Sequence, residues 1–156
     1  MYALLIAIHV LFAVIWVGGM VFAWAFQRPA ASGQLEAPAR LRLWVATFRG
    51  FFPWVWAAII LMPLTGYIML FSRWDGFGGA PVYVHIMNTL GIVMILLFLH
   101  VFFGPFAKLK RAVAGEDWQE GGRQLGRIRR TVATNFAIGL VLIAVATGGR
   151  FLAALG

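Results

Sequence analysis

Cysteine is absent from the 156 residues, which removes disulfide frameworks, thiolate metal sites, cysteine nucleophiles and covalent C-x-x-C-H haem attachment together. Charge is scarce as well: Asp, Glu, Lys and Arg make up 12% of the chain, against about a quarter in soluble proteins. The five acids, Glu36, Asp75, Glu116, Asp117 and Glu120, all fall in polar connections, so no buried carboxylate pair is on offer for acid–base chemistry. Ser32 and Ser72 are the only serines and lack a neighbouring base and acid, which argues against a hydrolase. No internal repeat and no low-complexity segment is found.

What fills the chain is apolar: 62% of residues are hydrophobic, too many for a water-soluble fold of this length. Four stretches are long enough to cross a hydrocarbon core of about 30 Å, at residues 2–26, 51–71, 81–104 and 131–154. They predict an all-α, integral membrane four-helix bundle forming a single transmembrane domain over residues 1–156. The first stretch also resembles a signal peptide, with Ala23-Trp24-Ala25 as a mock cleavage site, but it lacks a basic leader and is too long. Pro63 predicts a kink in the second span, and Gly104-Pro105 a stop for the third. Residues 37–50 place Leu41, Trp44, Val45 and Phe48 at helical spacing, which reads as a short interfacial helix or an extended start to the second span. Residues 108–130 read as a polar loop broken by Gly115, Gly121 and Gly122.

A net charge of +8 would suggest nucleic acid in a soluble protein. Here the basic residues lie between apolar runs, where insertion topology accounts for them, so the partner implied is a lipid bilayer and not nucleic acid. Arg28, Arg40, Arg42, Arg49, Lys108, Lys110, Arg111, Arg123, Arg127, Arg129 and Arg130 flank one side, and Arg73 and Arg150 the other. That asymmetry predicts basic connections in the cytoplasm and both termini outside.

Ionisable residues at membrane depth are costly and usually face the bundle interior, so each is a candidate for function. His9 and His85 are expected near the outer face, with Arg150 at the outer end of the fourth helix. His100, Asn135 and Arg49 are expected in a second layer near the cytoplasmic face. His85 and His100 are fifteen residues apart and share one helix face, read as inward because Asn88, Thr89 and Ile92 continue it. Two imidazoles from separate helices suit the axial positions of haem b, with Trp16 and Met20 against the macrocycle and Arg150 or Arg73 at the propionates. The rival is copper, for which imidazoles with Met20, Met62, Met69, Met87 and Met94 supply suitable ligands. The plainest alternative is a non-catalytic assembly subunit whose histidines only hydrogen-bond to neighbouring carbonyls.

His9 with Trp16-Val17-Gly18-Gly19, the stretch Phe48-Arg49-Gly50-Phe51-Phe52-Pro53, and Tyr83-Val84-His85 running to His100 together resemble the CopD-like membrane proteins. The layout is also similar to the related HemJ-type protoporphyrinogen oxidases. The resemblance implies a bacterial inner-membrane protein concerned with copper handling, b-haem binding or porphyrinogen oxidation. It places His9 and His85 at the haem-holding positions of the oxidase-type members, and His100 at a further histidine of their third helix. Those members carry a lysine two residues after the equivalent of His85, where this chain has Met87, which points away from porphyrinogen oxidation. The leading expectation is therefore a membrane b-type cytochrome exchanging electrons with a quinone or a redox partner protein. Apolar helix faces are compatible with a homodimer.

Overall fold

The computed structural model describes residues 1–152, with the side chains of residues 1–149; residues 153 and 154 of the expected fourth span, and the Arg150 side chain, lie outside the described parts. The described chain is all helical. α1 (Tyr2–Phe22) runs through a π-helical turn (Ala23–Gln27) into α2 (Arg28–Gln34), and α3 (Ala37–Trp74) follows after a two-residue break. A 3-10 turn (Phe77–Gly79) leads to α4 (Val82–Val101), which passes through a second π turn (Phe102–Phe106) into α5 (Ala107–Ala114). α6 (Trp118–Leu152) closes the bundle.

Four helical rods result, each long and apolar enough to cross a membrane: Tyr2–Gln34, Ala37–Trp74, Val82–Ala114 and Trp118–Gly149. The protein is a multi-pass membrane protein. Both π turns lie where proline would break an α-helix, just before Pro29 and around Pro105. Widening by one residue per turn relieves the clash of the proline ring with the preceding turn, and the rod continues. Pro105 thus does not stop the third rod, which runs on through α5.

The rods extend past the apolar stretches at the end that carries the basic residues. Residues 37–50 are continuous with the second span instead of lying in the interface as a separate helix. The expected polar loop of residues 108–130 is a helical hairpin, α5 and the start of α6, turning only at residues 115–117. Glu116 takes a left-handed backbone there (φ 57°). Asp117 then caps α6, its Oδ1 accepting from the Glu120 N–H at 2.9 Å. Gly121 does not break the helix; it lets α6 close on α3, since a Cβ there would stand 3.0 Å from Leu41 Cδ1.

Packing is concentrated toward this basic end. Trp44, Phe48 and Phe52 stack along α3 with centroids 5.3 and 5.1 Å apart. Phe106 meets Phe48 and Phe52 edge-on, and Phe98 bridges Phe52, Trp56 and Trp16. Leu41, Leu109, Leu125 and Ile128 complete the buried cluster. Toward the opposite, far end the interior thins: α1 buries nothing before Trp16, α4 nothing before Met94, and α3 only Thr65 and Leu70 beyond Ala58. α1 packs along α3, and α4 along α6, while α1 and α4 share no extended backbone contact.

Candidate functional site

Polar side chains inside the apolar spans are few, and each has to be accounted for. His9, half-buried on α1, places Nδ1 2.9 Å from Thr65 Oγ1 on α3. The same hydroxyl lies 2.7 Å from the Leu61 carbonyl oxygen and 3.1 Å from that of Met62. A threonine has one proton; when a helix carbonyl takes it, the imidazole is the donor. In that tautomer His9 carries its proton on Nδ1, and Nε2 keeps a free lone pair, the form in which histidine binds metals. Gly66 makes the approach feasible: a Cβ there would stand 3.3 Å from His9 Cε1.

His85 does not join His9. Its ring lies 5.5 Å from that of Phe77, and its side chain is exposed. Tyr67 donates to Asn88 Oδ1 at 3.0 Å, which fixes the level of α4 against α3 and puts His85 about one turn nearer the far end than His9. His85, Thr89, Ile92, Leu96 and His100 form one outward face of α4, and Phe103 in the following π turn continues it. The two histidines do share a face, but that face points away from the bundle. Thr89 can lie outward because its hydroxyl donates to the His85 carbonyl of its own helix at 3.0 Å, and so needs no interior partner.

The second expected layer does not form either. Asn135 is buried and donates through Nδ2 to the Met94 carbonyl at 3.4 Å, which sets it six residues, about 9 Å, above His100. Arg49 is exposed and lines a surface groove with Arg42 and Lys110. Trp16 is a core residue, edge-on to Phe98 at 6.3 Å.

Asn135 has an unexpected setting. Its Oδ1 is enclosed without a partner, and the residue lines a cavity of about 40 Å³ together with Trp16, Met20, Phe98 and Thr131. The methionines fall into register as well. Counting from the Tyr67–Asn88 bond between antiparallel helices, Met69 is level with Met87, and Met62 with Met94, about 10 Å deeper. All four are buried or half-buried, unlike His85 and His100. No group of three or more His, Asp or Glu side chains that could hold a metal ion occurs among the described residues.

Sequence reasoning missed Thr65 and the methionine levels. A lone threonine facing inward from an apolar helix, two residues after a proline, was the available signal for the first; the second needed the helix register.

A family model described as CopD, copper resistance protein D, matches residues 45–148. That stretch takes in most of α3, all of α4 and α5, and α6 up to Gly148; it includes Thr65, His85, His100, Asn135 and the four levelled methionines, and leaves out His9. No curated protein and no solved structure matches the chain.

Proposed function

This chain belongs to the CopD family of copper-resistance membrane proteins, and on that premise we propose that it handles copper inside the bilayer, the ion being cargo that passes between imidazole and thioether donors. The single observation that carries the reading is the family match across three of the four membrane-crossing rods. Thioethers and imidazoles are the ligands that suit Cu(I), and a chain without cysteine has no others of that character. Met69 and Met87, then Met62 and Met94, then Met20 beside Asn135 form successive stations from the far end inward, with His9 Nε2 the imidazole donor whose tautomer is set by Thr65. The eleven basic residues at one end support a cytoplasmic location for that end by the positive-inside rule, with both termini on the outer side of a bacterial inner membrane as part of the same proposal.

Haem held between His9 and His85 draws no support from the geometry, because the two rings take different partners, Thr65 and Phe77, and His85 lies about one turn nearer the far end. Purified protein titrated anaerobically with Cu(I) against a competing chelator tests the copper reading directly. Copper retention weakened in Met62→Leu and Met69→Leu, near-isosteric changes that the packing tolerates, is the expected result. Retention unchanged in both variants, or a Soret band in the protein as isolated, would overturn it.

A further inference from the structure

A groove of about 470 Å³ runs between α3 and α5 at the basic end of the bundle. Val45 and Ala46 on α3, with Val113 and Ala114 on α5, give it a floor of small apolar side chains. Its charge comes from Arg42, Arg49 and Lys110, and no acidic residue lines it. The three cations are not equivalent. Arg42 is already engaged: its Nη2 donates to Glu116 Oε1 at 3.1 Å, and its guanidinium carbon lies 5.1 Å from the centroid of the Trp118 ring. Arg49 is exposed and makes no side-chain hydrogen bond or ion pair among the described residues. Lys110 has no anionic partner there either; its Nζ reaches back one turn and stands 4.9 Å from the centroid of the Phe106 ring. Phe106 packs edge-on against Phe48 at 5.8 Å, so the ammonium lies at the level of Phe48, the chain neighbour of Arg49. The two unneutralised charges thus share the end of the groove that meets the apolar spans.

That end opens onto hydrocarbon, since Arg49 stands just before the second apolar run. Pro53 and Trp56 continue the stripe of Arg42, Val45 and Arg49 at helical spacing, and Trp56 meets Phe102 and Phe103 with centroids 5.3 and 6.2 Å apart. The seam between the rods therefore runs on from the groove as an aromatic surface, with Pro53 and Phe103 exposed. A fitting ligand has a compact anion joined to a long apolar part at the boundary of the hydrocarbon, and an anionic phospholipid has that form. We propose that the groove between α3 and α5 binds an anionic phospholipid, with its phosphate between Arg49 and Lys110, its headgroup on the small apolar floor and one acyl chain along Trp56 and Phe103. Free phosphate or an acidic segment of another protein would use the two cations and leave the aromatic seam unused. The site shares no residue with the copper path and does not depend on which side of the membrane the basic end faces.

The test uses the full chain in neutral detergent, titrated with phosphatidylglycerol, phosphatidylcholine, inorganic phosphate or a soluble oligoglutamate and followed by thermal unfolding. Phosphatidylglycerol raises the midpoint of the native protein, and the other three do not. Arg49→Gln and Lys110→Gln each weaken its apparent affinity roughly tenfold, the loss expected for one charge-assisted contact. Ala46→Trp fills the groove, keeps every charge and, lying on the surface, leaves the fold intact; it weakens the lipid effect as well. Arg111→Gln removes the same charge from the residue beside Lys110 but outside the groove, and stays within about twofold. An equal shift from phosphatidylcholine, inorganic phosphate or oligoglutamate overturns the assignment to an anionic lipid. Unchanged affinity in both Arg49→Gln and Ala46→Trp, or an equal loss in Arg111→Gln, overturns the site.

Discussion

Asn135→Leu should stabilise the fold while impairing copper handling. The asparagine leaves a buried amide oxygen without a partner, a cost of about 1–3 kcal/mol. In return it makes one interhelical bond, at 3.4 Å beyond the usual hydrogen-bond range, and such bonds in membrane bundles average about 0.6 kcal/mol. Leucine removes both terms, and the adjoining cavity of about 40 Å³ accommodates its shape without forcing the helices apart. The balance favours the variant by about 1 kcal/mol, or a rise in Tm of about 2–4 °C for a chain of this size. The seven tryptophans make intrinsic fluorescence a convenient reading of unfolding in detergent. Copper tolerance of cells carrying the variant is read alongside and should fall. A Tm that drops by a few degrees would refute the reasoning, because it would make Asn135 a structural clasp and its free oxygen irrelevant.

Thr65→Val removes the acceptor that fixes the His9 tautomer; it should cost about 1 kcal/mol in unfolding experiments and weaken Cu(I) binding by about 10–100-fold in the chelator competition. Phe52→Ala empties the centre of the aromatic cluster and should cost about 3–5 kcal/mol, measured by chemical denaturation in micelles. Gly139→Leu drives a side chain into Val17 and Met94, whose atoms already stand 3.1 and 3.4 Å from a single Cβ, and should lower Tm by several degrees. His100→Leu, on the outward face of α4, should leave the unfolding free energy within about 0.5 kcal/mol of the native value; a larger fall would mean that this face is covered.

The four crossings were legible because uncharged runs of such length have few other fates. Their true ends were not, since Pro29, Pro105, Gly121 and Gly122 carry the marks of a loop, and only packing outvotes them. Leu109 against Leu41, and Leu125 and Ile128 on the stripe that continues through Val132 and Asn135, bury enough surface to keep the rods helical beyond the apolar stretch. At the candidate site, the sequence pairs His9 with His85 of α4 around a common ligand, whereas in the structure the His9 ring meets Thr65 of α3. The shared face of His85 and His100 could be deduced from their spacing. Its direction could not, because a threonine satisfied by its own helix carries no information about which way is in.

A bundle clamped at one end and lightly filled at the other behaves like a set of cantilevers. Between Ala58 and Trp74 the second rod has a lever of about 24 Å, so a tilt of about 5° at the aromatic clamp moves its tip by about 2 Å. That is comparable to the width of a bare metal ion, and what resists it at that end is a pair of polar contacts, His9 to Thr65 and Tyr67 to Asn88.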